Sequence, residues 1–267
     1  MLKIKEQLTS AQNAKIKNLI QLQKPRHRRE LGLFVIEGRL EIERALAAGY
    51  QITSVFFCPE MISPSEVEPS AGLAAEIFSI TPELYEKITY RGSTGGVVAT
   101  ARQHKHTLDG LVLKENPLLI VLESVEKPGN LGAILRTADA AGVDAVIVCD
   151  PQTDIYNPNV IRSSIGCLFT VPVFTGNTTE VIELLKTNGI AIFCTALTAS
   201  VPYQTIDFKE PSAIVMGTES TGLSSTWLDH STQNIIIPMR GMADSLNVST
   251  TAAIVVFEAR RQRGFRV

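Results

Sequence analysis

The sequence predicts an α/β protein in which a small mixed domain precedes a larger domain built on a parallel sheet. From residue 117 onward, short apolar runs alternate with helical segments, and the runs show no polar and apolar alternation. Strands buried on both faces, as in a parallel sheet covered by helices, have this pattern. The polar stretch 102–115 comes just before these runs. We therefore predict domains at 1–101 and 116–267, joined by a linker at 102–115.

The composition narrows the class of protein. The chain has 267 residues, a formal net charge of −2 and 45% hydrophobic residues, which is ordinary for a soluble protein. No window reaches the roughly 18 apolar residues of a membrane span, and MLKIKEQLTS lacks the apolar core of a signal peptide. We therefore expect a cytoplasmic protein. The four cysteines form no CxxC pair and have no histidine cluster beside them, so we expect free thiols and no metal.

The front domain contains a basic segment. A helix within 9–23 is stopped by Pro25, which leaves Lys24–Arg29 as a loop or a helix end. This segment belongs to the run Lys15–Arg29, which holds Lys and Arg but no acidic residue. The charge fits a solvated helix end or contact with phosphates. The other elements predicted in this domain are strands at 33–36, 52–57, 77–80 and 95–101 and helices at 40–47 and 82–88.

The larger domain has the regular order of an α/β sheet, and its strands end in polar loops. Sites of α/β proteins commonly lie in such loops at the carboxyl ends of strands. The predicted strands are 118–122, 145–149, 169–173, 190–195, 213–216 and 235–237. The predicted helices are 130–141, 159–166, 181–188 and 248–261.

Three loops of the larger domain are candidates for chemistry. The first, ESVEKPGNLG at 123–132, begins a helix in which Arg136 is the lone charge of the small and apolar stretch Ala133–Ala138. A helix start of this kind can hold an anion, and an exposed arginine on a surface helix is the simpler alternative. The sequence lacks GxGxxG, which argues against a dinucleotide site.

The second and third loops follow the last two predicted strands. Loop 217–224 has glycines at the spacing of a phosphate-binding loop, but Leu223 occupies the position of the required lysine. Its Glu219 is either a functional carboxylate or an ordinary surface residue. Loop 239–247 ends in Ser245 and Asn247, which also suit the N-cap of the following helix.

The order of these motifs carries more information than any one of them. The stretches ESVEKPGNLGAILRTADAAG, GTESTGLS and IIIPMRGMADSLNVSTTAAIVVFE resemble, in that order, the three motifs of the SpoU branch of the SPOUT RNA methyltransferases. The resemblance covers roughly 117–263. In addition, HRRELGLFVIEG and the following helix are similar to the ribosomal-protein-like RNA-binding domain that precedes many SpoU domains.

The resemblance implies a fold, a cofactor and a reaction. The family fold is an α/β sheet with a deep trefoil knot at its C-terminal part, and its loops bind S-adenosylmethionine. The implied reaction is methyl transfer to a ribose 2′-hydroxyl of RNA, with ribosomal (23S) RNA expected and transfer RNA as the alternative. The cofactor-binding positions carried over from the family are Thr195, Ala196, Gly217, Ile237, Met239 and Leu246. The catalytic positions carried over are Asn130, Arg136, Glu219, Ser245 and Asn247.

Two positions depart from the family pattern. The common Asp-Pro-x-Asn is Lys127-Pro128-Gly129-Asn130 here, and Ser220 replaces the glycine that commonly follows the glutamate. Arg136 is described in the family as a general base, but a guanidinium gives up a proton only above about pH 12. It suits a phosphate grip at least as well.

The resemblance also implies partners. Beside a methyltransferase domain, we expect Lys24, Arg26, Arg28 and Arg29 to contact RNA phosphates. Family members are homodimers, and the apolar stretch Ala252–Phe257 is a candidate dimer face, with burial inside one chain as the alternative. Two further hypotheses stay open at this point: a non-catalytic RNA-binding or ribosome-assembly factor with the same fold, and a dinucleotide-dependent oxidoreductase.

Overall fold

A computed structural model describes residues 2–71, 75–90 and 95–265 and divides the chain into two compact units. The first unit contains the residues up to Lys105 together with Asp154–Thr170. The second contains His106–Thr153 together with the residues from Val171 onward. The segment Asp154–Thr170 therefore lies in the first unit, although the sequence places it inside the predicted larger domain. The domain limits drawn from the sequence stay a prediction.

The elements up to Lys105 are short and mixed. They are β1 (Glu6–Leu8), α1 (Ala14–Gln21), α2 (Pro25–Leu31), β2 (Leu33–Glu37), α3 (Arg39–Ala47), β3 (Ile52–Phe57), α4 (Pro64–Val67), β4 (Glu76–Ile80), α5 (Pro82–Ile88) and β5 (Val97–Arg102). In the described part of this unit the strands form one sheet in the order β1-β4-β3-β5-β2, with β5 antiparallel to both neighbours. Its core includes Ile16, Leu19, Phe78 and Tyr85.

From His106 onward helices and strands alternate, as predicted. The elements are β6 (Leu118–Glu123), α6 (Pro128–Ala141), β7 (Ala145–Cys149), α7 (Pro158–Ser163), β8 (Val173–Gly176), α8 (Thr178–Thr187), β9 (Ala191–Thr195), β10 (Ser200–Pro202), β11 (Ser212–Met216), α9 (Ser225–His230), β12 (Gln233–Ile236) and α10 (Val248–Gln262). Of these, α7 belongs to the first unit and the rest to the second. Short 3₁₀ turns occur at Glu68–Ser70, Leu108–Gly110, Cys167–Phe169 and Tyr203–Thr205.

The second unit is built on the predicted parallel sheet. Among the described residues its strand order is β10-β12-β9-β11-β6-β7-β8, and every neighbouring pair is parallel. At the centre, Ser212–Met216 pairs residue for residue with Leu118–Leu122. Both strands are fully buried, which explains why they read as continuous apolar runs. The prediction of an α/β fold with a parallel sheet is confirmed, while the knot stays a prediction.

Two local predictions need correction. Lys24–Arg29 was expected as a loop or a helix end, but Lys24 is the N-cap of α2 and the residues from Pro25 onward lie in the helix, because Pro25 suits the first helical position and Gly32, at φ +62°, ends the helix. Phe169–Val173 was expected as a strand, yet β8 begins only at Val173, while Phe169 ends a 3₁₀ turn and residues 170–172 are irregular. Phe169 and Val171 are therefore buried by packing and not by pairing in a sheet.

The last helix is mostly internal to the second unit. Helix α10 packs against α6 and β11, and Ala252, Val255 and Val256 are fully buried. Half of the stretch expected to be a dimer face is thus core, Ala253 and Ile254 are partly buried, and Phe257 is its exposed large apolar residue, at 40%. In the described residues no helix has both the length and the apolarity needed to cross a membrane.

Candidate functional site

A cavity of about 720 Å³ lies at the carboxyl ends of β9, β11 and β12 and beside the first turns of α10, all in the second unit. Open α/β sheets usually bind ligands at this edge. All six residues predicted to bind the cofactor line the cavity: Thr195, Ala196, Gly217, Ile237, Met239 and Leu246. Glu219, Ser245 and Asn247, from the predicted catalytic set, line it as well.

Gly217 permits a tight loop at the cavity wall. The Thr218 N–H donates to the Gly222 carbonyl and the Gly222 N–H donates to the Thr218 carbonyl, both at 3.1 Å. A Cβ atom at position 217 would lie 2.2 Å from the Gly222 carbonyl carbon and oxygen, so a side chain would force this loop open. Glycine at position 217 is therefore a requirement of the loop itself.

The cavity has one polar edge and one apolar wall. At the end of β9, the Thr195 hydroxyl donates to the Val215 carbonyl at 3.2 Å, and the Ala196 N–H donates to the Ile235 carbonyl at 3.1 Å. These bonds fix the backbone at the cavity rim. The apolar wall is formed by aliphatic residues from several elements, among them Leu223, Leu228, Ile235, Ile237, Leu246 and Val255. Small-molecule sites commonly combine such a wall with a few fixed polar groups.

Glu219 is the centre of a polar cluster at the cavity. Its Oε2 atom contacts the Lys127 ammonium, and its Oε1 atom accepts hydrogen bonds from the side-chain amides of Asn130 and Asn247, the latter at 2.8 Å. The Asn247 amide also reaches the Asn130 oxygen at 3.3 Å. The structure thus brings together three predicted catalytic residues, Asn130, Glu219 and Asn247, from three separate segments.

Asn247 has two roles at once. Its Oδ1 atom accepts hydrogen bonds from the Ser249 N–H at 2.9 Å and the Ser249 hydroxyl at 2.6 Å, which makes it the N-cap of α10. Its Nδ2 group donates to Glu219. From the sequence, Asn247 was either a helix cap or a site residue. In the structure its oxygen caps the helix and its NH₂ group bonds to the site carboxylate, so it is both. The cap fixes which end of the amide faces the carboxylate.

Ser245 and Arg136 are not part of this cluster. The Ser245 hydroxyl donates to the neighbouring Asp244 at 2.9 Å. Arg136 is exposed on α6, about 9 Å of helical rise beyond Asn130, and it has no hydrogen bond or ion pair within the described residues. Its guanidinium is therefore free for a partner from outside the unit.

Lys127 and the α9 segment contribute features that were not predicted as site residues. Lys127 was noted only as a departure from the family motif, yet it contacts Glu219. No local pattern indicated this contact, because Glu219 stands 92 positions further along the chain. Leu228 reaches the cavity from α9, a helix that was not predicted. Ser224 as N-cap, followed by the buried Trp227 and then Leu228, was the signal for that helix.

The basic segment of the first unit divides into exposed and buried residues. Lys24, Arg26 and Arg29 are exposed, and Arg26 pairs with Glu30 one helical turn away at 2.7 Å. Arg28 is fully buried: its Nε donates to Asp154 at 2.6 Å and its Nη1 to the Leu22 carbonyl at 2.8 Å. The expectation that Arg28 contacts RNA is therefore wrong in this structure, because its guanidinium is enclosed and already bonded.

The cysteines offer no nucleophile to the cavity. All four are free and buried. Cys194, the neighbour of Thr195 in β9, has its pKa raised to about 11 by burial. Burial also raises the pKa of Cys149 well above its usual range. A protonated, buried thiol does not attack a substrate, so covalent cysteine chemistry is not what this site is arranged for.

Fold and site together define an α/β protein with a parallel sheet, a cofactor-sized cavity at the strand ends and a carboxylate–amide cluster beside it. The model of the SpoU rRNA methylase family matches residues 117–257, and that of the MRM3-like substrate binding domain matches residues 13–99. The chain belongs to the SpoU rRNA methylase family.

Several characterised proteins are similar to this chain over most of its length. The 23S rRNA (guanosine(2553)-2′-O)-methyltransferase of Bacillus subtilis is 31% identical, covering 96% of this chain and 99% of its own. The AdoMet-bound rRNA methyltransferase of Sinorhizobium meliloti has a TM-score of 0.88 at 31% identity, covering 96% of this chain and 97% of its own. The SpoU methyltransferase AviRb of Streptomyces viridochromogenes, in complex with AdoMet, has a TM-score of 0.86 at 28% identity, covering 95% and 100%.

Proposed function

We propose that this protein transfers a methyl group from S-adenosylmethionine to a ribose 2′-hydroxyl of 23S ribosomal RNA. The observation that carries the proposal is that Glu219 and Asn247 belong both to the cavity lining and to the polar cluster. A cofactor in the cavity would therefore border groups that can fix a hydroxyl. Membership of the SpoU family and the names of its relatives support RNA as the acceptor and oppose a dinucleotide-dependent oxidoreductase.

The cavity suits S-adenosylmethionine in size and chemistry. Its volume of about 720 Å³ lies within the usual range of small-molecule sites. Aliphatic side chains provide a surface for the adenine and the thioether, and the carboxylates of Glu219 and Asp244 line the same space, which favours a positively charged sulfonium. When bound, the cofactor supplies an electrophilic methyl group. We assign Thr195, Ala196, Gly217, Ile237, Met239 and Leu246 to holding it.

The polar cluster positions the acceptor. Three N–H groups or ammonium donors already surround Glu219, so this carboxylate organises its neighbours and is not the proton acceptor in our proposal. In our proposal Asn130 and Asn247 of the cluster, together with Ser245 from the cavity lining outside it, present amide and hydroxyl groups to the ribose. Holding a hydroxyl in line with the bond to be broken accounts for much of the rate of such transfers.

Arg136 binds the RNA backbone in this proposal. Its exposed guanidinium has no partner among the described residues, and its planar fork matches phosphate oxygens in a bidentate way. A guanidinium remains protonated in proteins, so it serves better as an electrostatic clamp than as a base. The phosphate beside the target ribose is the group that it would hold.

The first unit supplies additional contacts to RNA. Lys24, Arg26 and Arg29 are exposed around α2, and such residues provide most sequence-independent affinity for nucleic acid. The match of residues 13–99 to a substrate-binding domain supports this role. We keep the limits 1–101, 102–115 and 116–267 as the proposed functional division of the chain, with Asp154–Thr170 attached to the RNA-binding part.

We also propose a cytoplasmic homodimer. Phe257 and Leu246 are each 40% exposed and Met242 is fully exposed, and these apolar side chains of the second unit fit burial against a second copy. The four buried, unpaired cysteines suit a reducing compartment. The ribosomal substrate that we propose is found there as well.

The test measures where labelled methyl groups go. The full-length protein is incubated with methyl-labelled S-adenosylmethionine and either ribosomal or transfer RNA from cells that lack the protein. We expect label in ribosomal RNA, at one linkage that becomes resistant to alkali, because a 2′-O-methyl group blocks the attack of the 2′-oxygen on its phosphate. Label on a base would overturn the ribose assignment, and label in transfer RNA alone would overturn the ribosomal one.

A binding measurement separates the catalytic proposal from a non-catalytic RNA-binding role. Calorimetry with S-adenosylmethionine should show one site per chain. If no binding occurs at millimolar cofactor while RNA is still bound, the protein is an RNA-binding factor that retains the fold. The Asn130, Glu219 and Asn247 cluster would then need another explanation.

A further inference from the structure

Lys127 is the N-cap residue of α6, and its side chain contacts Glu219. We infer that Lys127 is a positioning residue that holds the Glu219 carboxylate in the orientation that the transfer reaction requires. The inference rests on the proposed function and adds to it a residue outside the predicted catalytic and cofactor-binding sets. It stands on the contact between the Lys127 ammonium and the Glu219 Oε2 atom.

The backbone of Lys127 is fixed independently of its side chain. Pro128 follows it and restricts it to extended conformations, and Lys127 has φ −88° and ψ 117°. Its carbonyl accepts hydrogen bonds from the N–H groups of Asn130 at 3.1 Å and Leu131 at 3.2 Å. Lys127 is the N-cap residue of α6, but its side chain makes no cap bond. The ammonium group is therefore free to serve Glu219 alone.

The two oxygens of Glu219 have separate partners. Oε2 contacts Lys127, whereas Oε1 receives the amides of Asn130 and Asn247. Rotation of the carboxylate would break both sets of contacts together. The Lys127 contact thus opposes a rotation that would release the two amides, and it does so from a backbone position that the N–H groups of Asn130 and Leu131 hold at the start of α6.

Glu219 needs such support because of where it lies. It belongs to the exposed Thr218–Gly222 turn, and neither Thr218 nor Ser220 bonds to its carboxylate; their hydroxyls face each other at 3.3 Å. The Glu219 side chain is 26% exposed and that of Lys127 is 67% exposed. An isolated exposed ion pair stabilises a fold by little. We therefore expect Lys127 to affect the geometry of the cluster more than the stability of the protein.

The competing role for Lys127 is direct contact with an RNA phosphate. The two roles differ in kinetics. A positioning residue changes kcat and acts only while Glu219 is present, whereas a phosphate contact changes the KM for RNA and its dependence on salt, with or without Glu219. Substitutions at both positions, singly and together, distinguish the two.

The experiment compares Lys127→Gln, Glu219→Gln, the double variant and Lys127→Arg in steady-state methyl transfer to RNA. We expect Lys127→Gln to lower kcat about tenfold with the KM for RNA changed less than about threefold, and to have little further effect in the Glu219→Gln background. Lys127→Arg should restore most of the rate, because it returns a cation to Oε2. Lys114→Gln is the matched control, since Lys114 pairs with Asp144 at the opposite end of the sheet at 2.7 Å, and it should leave the rate unchanged.

Two results would overturn the inference. One is a rise in the KM for RNA without a change in kcat, and the other is an equal effect of Lys127→Gln in both backgrounds. If the unaltered protein transfers no methyl group to any RNA, the proposed function fails, and a second readout then decides the role of Lys127 on its own.

That readout is the nitrogen-15 spectrum of the side-chain amides in the full-length protein. The Asn130 and Asn247 signals should shift in Lys127→Gln, because the carboxylate loses the contact that holds its orientation, and in Glu219→Gln, because an amide replaces the carboxylate that accepts both bonds. They should stay in place in Lys127→Arg and Lys114→Gln. Unshifted amide signals in Lys127→Gln would show that Lys127 does not position Glu219.

Discussion

Two arginines, one in each unit, have opposite surroundings. In the first unit, Arg28 is fully buried and bonds to Asp154 and to a backbone carbonyl. In the second unit, Arg136 is exposed and has no partner among the described residues. Yet Arg28 stands in a basic, polar segment and Arg136 in a small and apolar one. The local sequence suggests the reverse, so the surroundings of a charge follow from what packs on it from far along the chain.

The carboxylates repeat this contrast. In the first unit, desolvation raises the pKa of Glu37 to about 7, although the Tyr90 N–H and the nearby charge of Arg162 lower it. In the second unit, Glu219 is surrounded by donors that address both of its oxygens. In the first unit, burial disfavours the charged form of Glu37, and the buried charge of Arg28 is paired with Asp154. In the second unit, Glu219 lines the cavity, where a ligand can use its charge.

Arg136→Ala is the variant with the largest expected effect. If the guanidinium clamps the substrate phosphate, methyl transfer should fall about a thousandfold, as for other losses of a group that stabilises a transition state. The free energy of unfolding should change by less than about 0.5 kcal/mol, because Arg136 is exposed and bonds to nothing in the described residues. Cofactor affinity should also hold, since Arg136 does not line the cavity. Near-normal turnover would remove Arg136 from the reaction.

Arg28→Ala should do the reverse of Arg136→Ala and mainly lower the stability of the protein. Removing one partner of a buried ion pair leaves the other uncompensated, and Asp154 is only 20% exposed; we expect a loss of about 3 kcal/mol in the free energy of unfolding. Typical domains are stable by about 5–15 kcal/mol, so the variant should still fold. Chemical denaturation measures the loss.

The matched control for Arg28 is its neighbour Arg29, which is exposed. Arg29→Ala should leave stability within about 0.5 kcal/mol of the original and weaken RNA binding, with a smaller dependence of affinity on salt. If the two variants lose equal stability, the contrast between buried and exposed arginines in this unit is not real.

Glu37→Gln tests the buried carboxylate and has the smallest expected effect. The pKa of Glu37 is about 7 in the folded protein against 4.5 for the free side chain. Its contribution is therefore fully favourable below about pH 4.5 and is lost as pH rises through 7. At pH 8 we expect Glu37→Gln to be more stable than the original by about 1–2 kcal/mol, with solvent screening taken into account. The difference should vanish near pH 4.5.

Glu76 provides a control of opposite sign. Hydrogen bonds from Lys15 and Lys5 lower its pKa to about 2. Its contribution is present above about pH 4.5 and is lost as pH falls toward 2, so Glu76→Gln should be less stable than the original at neutral pH. Thermal unfolding as a function of pH measures both variants. If the stability of Glu37→Gln and Glu76→Gln changed with pH in the same direction, desolvation of Glu37 and hydrogen bonding of Glu76 would not be the causes of their pKa shifts.

Most of the larger fold was predictable from the sequence. The buried parallel strands read as continuous apolar runs, and β7 and α5 were predicted with their observed bounds. The nine cavity residues predicted as site residues followed from the family resemblance, and all of them line the cavity. Such features depend on local pattern, which a single sequence records.

The remaining features depend on contacts that are distant in sequence. The pairing of Arg28 with Asp154 spans 126 positions, and that of Lys127 with Glu219 spans 92. Neither partner carries a local signal of the other. The same holds for Phe169, whose apolar neighbourhood predicted a strand and in fact packs against Tyr50 and Phe34, with ring centroids 5.0 and 6.1 Å apart.

The chain passes through the first unit twice. Asp154 neutralises Arg28 there, and Tyr156 packs on Phe34 with ring centroids 4.3 Å apart and bonds to the backbone of His104. A fragment that stops at Lys105 therefore lacks a counter-ion and part of its aromatic core. The first unit is therefore not a detachable module: exchanging it between related enzymes requires three cuts and the transfer of two separate pieces of gene.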